Sequence, residues 1–149
     1  MADEIAFRRA READVVAEHE VLTEAEGGVM RRHGYDAPET PLDGFARTHA
    51  HLLEHDGERS FVAEAEGAVV GYSAAIVRGD TWFLSSLFIR ERYQGRGIGR
   101  RLLELSWGEG HARRITIPPG SGAGRSRSLR RSRSPSGARI SSLASREPT

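Results

Sequence analysis

The sequence predicts one α/β (α+β) domain with a mixed, mostly antiparallel sheet flanked by helices. Three observations predict it. A short strand and two helical segments come first, and three strand-like runs joined by tight turns follow them. The third run leads through a glycine-rich turn into another helix, and a further strand follows that helix. The 149-residue length suits a single domain with a sizeable core.

The first half of the chain carries clear start and stop signals. A strand is predicted at 6–10, and Asp14 is the predicted N-cap of the first helix. We expect that helix to falter at Gly27-Gly28, because glycine is a poor helix former, with residues 29–33 as its possible continuation before Gly34. The second helix is predicted to begin at Thr40-Pro41, a capping residue followed by proline, and to end before Asp56-Gly57.

The period then changes from helical to strand-like. Tight turns at Glu66-Gly67 and Arg78-Gly79-Asp80 separate the three predicted strands of an antiparallel meander. A last strand at 113–117 is expected to lie parallel to the third, because a helix connects the two. The three meander strands are predicted at 60–65, 68–77 and 81–89.

The most informative segment is 93–100, YQGRGIGR, where the third meander strand turns into a helix. Such a turn points free backbone N–H groups at one spot, where the helix dipole also favours negative charge. It therefore predicts a pyrophosphate-binding turn. A Walker A loop is excluded because the chain has no lysine, and the Rossmann glycine spacing is not met. The pattern Q/R-x-x-G-x-G/A is met by Gln94, Gly97 and Gly99.

Residues 87–103, LFIRERYQGRGIGRRLL, resemble the acetyl-CoA-binding motif of the GNAT N-acetyltransferase superfamily. The order of elements before the motif agrees, and Glu91 departs from a proline that is common there. The resemblance implies a GNAT-type acyl-CoA N-acyltransferase fold over 5–117, with acetyl-CoA as the acyl donor. It assigns backbone pairing with the pantetheine arm to the end of the strand and diphosphate binding to the turn. The implied acetyl-CoA-binding residues are Leu87, Phe88, Ile89, Gln94, Gly95, Arg96, Gly97, Ile98, Gly99 and Arg100.

The activity implied by the resemblance is transfer of an acetyl group to an amine by direct attack, without a covalent enzyme intermediate. The acceptor is a small-molecule or peptide amine. Ser85 and Ser86 occupy plausible catalytic positions on the strand, but a serine hydroxyl is a poor base, so they are weak candidates. Glu64 and Asp80 are nearby carboxylates that we expect to be solvated.

The C-terminal part departs from the family pattern, which commonly supplies a tyrosine acid from a later helix. This chain has no tyrosine after Tyr93 and no asparagine. Residues 118–149 are an Arg/Ser-rich tail that we expect to be disordered. We hypothesise that it is the frameshifted product of a GC-rich gene, since all 22 basic residues are arginine. The alternative function is therefore a catalytically impaired acyl-CoA-binding or truncated GNAT protein. An uncovered sheet edge at 115–117 would favour a homodimer.

Composition excludes several classes of protein. The absence of cysteine excludes disulfides and thiolate nucleophiles, and no apolar run is long enough to cross a bilayer, so a cytoplasmic location is expected. The net charge of +1 hides an asymmetry: residues 1–117 hold 15 Arg and 20 acidic residues, whereas the tail holds 7 Arg and only Glu147. Nucleic acid is not an expected partner, because the basic tail has no aromatic residue to stack on bases.

Two weaker signals lie in the helices. Residues 51–55, HLLEH, match an inverted zincin pattern, but no third ligand is identifiable and no metal site is expected. By the GNAT resemblance the first two helices line the acceptor side. Tyr35, His49 and the cluster Arg31-Arg32-His33 are therefore candidates for acceptor contacts, with a solvated loop as the alternative.

Overall fold

The computed structural model describes residues 3–108 and, beyond them, the backbone of strands at 113–116, 127–131 and 140–142. Strand β1 is Ile5–Arg9, and helices α1 (Val15–Arg32) and α2 (Leu42–Asp56) follow it. Strands β2 (Ser60–Ala65), β3 (Ala68–Arg78) and β4 (Thr81–Ile89) lead to helix α3 (Ile98–Trp107). The remaining strands are β5 (Arg113–Thr116), β6 (Arg127–Arg131) and β7 (Ile140–Ser142). Short 3₁₀ turns lie at Glu12–Asp14, Gly57–Arg59 and Glu91–Tyr93.

The described strands form one sheet in the order of the chain, from β1 to β7. Neighbouring strands are antiparallel except β4 and β5, which are parallel because α3 connects them. This confirms the predicted mixed, mostly antiparallel sheet and its meander. The helices cover both faces. On one face α3 packs Ile98 and Leu102 against Ala63 and Val70, and on the other α1 packs Val21 near Tyr72.

The sequence predicted that the first helix falters at Gly27-Gly28. In the structure, helix α1 instead passes through these glycines and continues to Arg32. Its stop lies at Gly34, which has φ +76° and donates its N–H to Arg31 O, while Tyr35 N bonds to Met30 O. Packing of the buried helix face outweighs the low helix propensity of two glycines. Gly28 faces the Glu91 carboxylate, so a side chain here would collide with it.

The two predicted helix starts also differ in detail. Asp14 makes no capping bond to α1; its carboxylate instead accepts the Arg11 N–H and two hydrogen bonds from Arg8. Helix α2 begins at Leu42, one residue later than the Thr40-Pro41 signal places it.

Within 118–149 the structure describes the backbone of β6 and β7 alone, and the disorder of the tail stays a prediction. Strand β6 pairs with β5, so the edge at 115–116 that we expected to be uncovered is covered within the described strands. Backbone groups on a free sheet edge accept any extended partner, and this pairing does not require the apolar alternation that the tail lacks. Residues 117–126, 132–139 and 143–149 lie outside the described part of the chain.

Candidate functional site

The turn between β4 and α3 has the geometry that the sequence predicted for an anion site. Gly95 (φ +77°) and Gly97 (φ +80°) both adopt the left-handed conformation, and an added Cβ at either meets nothing within 4 Å. Gly97 immediately precedes α3, and its carbonyl accepts the N–H of Arg101 at 3.1 Å. The amides of residues 98–100 precede this first helical bond and therefore remain available to a ligand.

Hydrogen bonds from the turn to the sheet hold it in place. The Gln94 side-chain amide donates to the Ile89 carbonyl at 3.0 Å, and Tyr93 N donates to Arg90 O at 2.9 Å. Arg90 N in turn bonds to Val70 O at 2.8 Å, which anchors the turn to β3. Gln94, predicted to contact the cofactor, thus positions the turn through its side chain.

Arginines give the turn a positive surface. Two arginines pack on the buried Tyr93 ring. The guanidinium carbons of Arg92 and Arg96 lie 4.8 and 5.0 Å from the ring centroid. Arg100 is exposed and pairs only loosely with Glu104, at 3.5 Å within α3. These cations stand beside the open amides, where the helix dipole also favours an anion.

Strand β4 leaves its parallel partner halfway along. Strand β5 pairs with β4 from Thr81 to Leu84. The β3–β4 register passes from Ala74↔Ser86 to Ala75↔Leu84, so Ser85 is the extra residue of a β-bulge at that point. Among the described strands, residues 85–89 pair with β3 alone. Their other edge has no described strand partner, although the Ile89 carbonyl accepts the Gln94 side-chain amide. The predicted pantetheine-binding residues Leu87, Phe88 and Ile89 lie in this segment.

The side chains beyond the bulge face in two directions. Leu87 and Ile89 pack against the cluster that contains α3. Ser86 and Phe88 instead line a cavity of about 230 Å³ between the sheet and the first two helices. The cavity is also lined by Glu18, Phe45, His49, Ser60 and Tyr72.

Two ionisable side chains meet inside this cavity. Glu18 Oε2 lies 3.3 Å from His49 Nε2, and the two side chains are only 5% and 7% exposed. Burial raises the pKa of Glu18, and the nearby His49 partly opposes this. Burial, followed by the charge of Glu18, also raises the pKa of the Tyr72 phenol.

Four buried polar atoms around the cavity have no hydrogen-bond partner among the described residues. They are Glu18 Oε1, His49 Nε2, Ser60 Oγ and the Tyr72 hydroxyl. Although His49 Nε2 is within ion-pair distance of Glu18, the angles do not make a hydrogen bond. Buried polar groups are normally satisfied, so four such atoms at one cavity mark it as a candidate binding site.

A family model described as the acetyltransferase (GNAT) family matches residues 28–115, more than half of the chain. The chain belongs to the GNAT acetyltransferase family. The match begins inside α1, ends in β5 and includes the whole glycine-rich turn, so the predicted GNAT resemblance is confirmed. The predicted domain limits, 5 and 117, stay a prediction. A comparison with curated proteins gave no match.

Solved structures share the GNAT fold. PaiA N-acetyltransferase from Thermoplasma acidophilum, in complex with coenzyme A, is 15% identical over 92% of this chain and 96% of its own (TM-score 0.60). Diaminobutyrate acetyltransferase EctA from Paenibacillus lautus, in complex with L-2,4-diaminobutyric acid and coenzyme A, is 20% identical over 77% and 66% (TM-score 0.55). The ribosomal-protein-S18-alanine N-acetyltransferase from Escherichia coli is 22% identical over 80% and 70% (TM-score 0.54).

These likenesses show the fold alone. The chain spans between 38% and 96% of the length of its structural relatives. Two relatives with almost the same TM-score are named for very different acceptors, a diamino acid and a ribosomal-protein alanine. The GNAT fold therefore does not by itself indicate the acceptor.

The structure separates the other predicted site residues. Glu64 binds the Arg8 guanidinium on the sheet, and Asp80 accepts the Thr81 hydroxyl at an exposed turn, so neither reaches the cavity. Tyr35 is 67% exposed, and the residues of the cluster 31–33 are exposed or half-exposed at the end of α1. Of the predicted acceptor contacts, His49 alone lines the cavity.

The histidine pair in 51–55 lies at the C-terminal end of α2. His55 Nδ1 lies 3.0 Å from the His51 carbonyl oxygen, and the two ring centroids are 4.2 Å apart. Within residues 3–108 no group of three or more metal-ligating side chains comes together. In the same part of the chain no helix has the length and apolar character needed to span a bilayer.

Two ionisable cavity residues, Glu18 and Tyr72, were missed by sequence reasoning. Glu18 stands in line with Val21, Leu22 and Ala25, at the spacing of one helix face, and that apolar face is buried. An acid within such a stripe was the available signal. Tyr72 lies within the continuously buried part of β3 and carried no such signal.

Proposed function

We propose that the protein transfers an acetyl group from acetyl-CoA to an amine, by direct attack of the amine on the thioester and without a covalent enzyme intermediate. One observation carries the proposal. The left-handed glycines before α3 and the free edge of β4 lie at two ends of one short segment, residues 85–100. The amides of the turn would bind the diphosphate, and the backbone of residues 87–89 would pair with the pantetheine arm.

The bulge supports the same assignment. It separates β4 from β5 at Ser85, so the bound thioester would approach the sheet where Ser86 lines the cavity. This arrangement brings the donor to one side of β4 and an acceptor to the other. Membership of the GNAT family supports the reaction class, and the relatives solved with coenzyme A support the donor. Ser85 and Ser86 stay weak catalytic candidates.

Calorimetric titration of coenzyme A into the full chain, together with thiol release from acetyl-CoA in the presence of primary amines, tests the proposal. We expect saturable binding and amine-dependent thiol release. Failure to bind coenzyme A would refute the proposal.

A second candidate is an acyl-CoA-binding protein that does not turn over. The observation that favours it is the absence of any tyrosine after Tyr93, where the resemblance leads us to expect the acid for the leaving thiolate. Coenzyme A binding without thiol release from any amine would support this candidate over the enzyme.

A further inference from the structure

We propose that the cavity between the sheet and the first two helices binds a small primary aliphatic amine as its cation, with the ammonium group on Glu18. The inference rests on the proposed function, because it names the acceptor of that reaction. It is carried by the chemistry and size of the cavity and by the buried polar atoms that face no protein partner.

Charge selects a cation. Glu18 Oε1 is buried and without a hydrogen-bond partner, and no arginine is among the described lining residues. An ammonium group donates up to three hydrogen bonds, which the Glu18 carboxylate and the hydroxyl oxygens of Tyr72 and Ser60 can accept. Burial raises the pKa of Glu18, and an ammonium ion at Oε1 would favour the ionised carboxylate, as the neighbouring His49 also does.

Aromatic rings line the same cavity as the Glu18 carboxylate. The His49 ring stacks on Phe45 at 6.2 Å between centroids, Phe45 meets Tyr72 edge-on at 6.3 Å, and Tyr72 lies 5.8 Å from Phe88. Ring faces attract cations and also contact apolar carbon chains. The wall is therefore suited to an alkylammonium ion rather than to a strongly hydrated polar molecule.

The dimensions favour a small acceptor. A volume of about 230 Å³ is below the range of roughly 300–1,000 Å³ that is typical for drug-sized ligands. An α-amino acid of the same length would bring a carboxylate, for which the described lining holds no arginine and only the imidazole of His49, which already lies 3.3 Å from Glu18 Oε2. The structure therefore favours a simple amine over an amino acid or a peptide N-terminus.

The position agrees with reaction at the thioester. Ser60, Ala74 and Ser86 form one row across β2, β3 and β4, since Ser60 pairs with Ala74 and Ala74 with Ser86. All three residues line the cavity, which therefore reaches the strand at the point where β4 leaves β5. An amine held by Glu18 would lie on the opposite side of this strand from the α3 cluster. The ammonium ion would first pass a proton to the Glu18 carboxylate, because only the neutral amine has a lone pair that can attack the thioester carbonyl. As the C–N bond forms and the C–S bond breaks, coenzyme A leaves as the thiolate and takes up the second proton from the nitrogen.

The test measures binding of n-butylamine to the full chain by calorimetry, and its KM in the thiol-release assay. Butanol, 2-aminobutyrate and trialanine are the competing ligands. We expect butylamine to bind at least about 10-fold more tightly than each of the three competing ligands. Glu18→Gln should weaken butylamine binding by at least about 10-fold, the typical loss when a charge-assisted hydrogen bond is removed. Tyr72→Phe removes an unpartnered hydroxyl and is expected to weaken it less.

Glu26→Gln is the matched control, because Glu26 is a half-buried carboxylate on α1 outside the cavity. It should leave butylamine binding unchanged, and all three variants should bind coenzyme A as the parent does. Unaltered butylamine binding by Glu18→Gln, or tighter binding of butanol, 2-aminobutyrate or trialanine, would overturn the inference. Coenzyme A binding together with amine-dependent thiol release would still uphold the proposed function. Because amine binding is read directly, loss of coenzyme A binding in the parent would refute only the proposed function.

Discussion

Replacing Gly97 by alanine should weaken coenzyme A binding far more than it weakens the fold. At φ +80° an alanine costs about 1–2 kcal/mol of backbone strain, but its Cβ meets nothing in the protein within 4 Å. The fold should therefore lose roughly 2–8 °C in Tm, at about 2–4 °C per kcal/mol for a chain of this size. The new methyl group stands in the open space before the α3 amides. Displacing one charge-assisted hydrogen bond to a phosphate there should weaken Kd by about 10- to 100-fold.

A matched control separates strain from ligand contact. Gly79, in the turn between β3 and β4, has φ +59° and equally open surroundings. Gly79→Ala should therefore lose comparable stability and leave coenzyme A binding within about 2-fold of the parent. Thermal unfolding and calorimetric titration of both variants supply the two readouts.

Gly99 provides the opposite contrast inside the same turn. Its added Cβ would make ordinary contact with the Ile89 side chain, 3.7 Å from Cγ1, and would not face the open space. Gly99→Ala should therefore retain coenzyme A binding and stabilise the helix by up to about 1 kcal/mol. If Gly99→Ala lost the ligand as strongly as Gly97→Ala, or if Gly97→Ala kept it, the assignment of the diphosphate to this turn would be wrong.

Three further predictions concern the framework. Asp14→Asn should lower the free energy of unfolding in urea at pH 7 by about 2–3 kcal/mol, because it removes a carboxylate that accepts two hydrogen bonds of 2.8 Å from Arg8. These bonds hold the pKa of Asp14 below its usual 3.8, so the stabilisation is fully present above pH 3.8. The difference in stability between parent and variant should shrink as the pH falls below 3.8. Glu18→Gln should raise Tm at pH 7, because burial raises the Glu18 pKa, with Asp14 adding to the shift and His49 and Arg8 opposing it. As the pH rises from 4.5, the parent should lose more stability than the variant, in which Glu26 is still a carboxyl group of raised pKa. A variant less stable than the parent at every pH would contradict this. Gly71→Ala should lower the free energy of unfolding by about 1–3 kcal/mol in the same urea assay, because the added Cβ would lie 2.8 Å from Ile89 Cδ1 and 3.2 Å from the Phe88 carbonyl oxygen. An unchanged urea midpoint would contradict this close packing.

Local signals in the sequence predicted the glycine-rich turn and the meander, because turn chemistry and side-chain alternation act over a few residues. They also predicted a break at Gly27-Gly28 that tertiary packing abolishes. The bulge at Ser85 depends on how β3 and β4 pair, and the pair of Glu18 and His49 joins residues 31 positions apart on two helices. Such features arise only when separate elements pack, and a single sequence gives no direct signal for their geometry.

Helix α1 connects the two proposed ligand sites. Near its middle, Glu24 Oε2 accepts a hydrogen bond from the Arg90 guanidinium at 2.7 Å, and Glu24 Oε1 accepts the Glu91 N–H at 3.2 Å. Six residues earlier on the same helix, Glu18 lines the cavity. Any sliding of α1 along the sheet would thus move Glu18 relative to the turn that receives coenzyme A, and these ion pairs resist it. Because the proposed acyl transfer depends on the relative placement of two substrates to within about 1 Å, the Glu24–Arg90 contact would keep the two proposed sites in register although it would touch neither substrate.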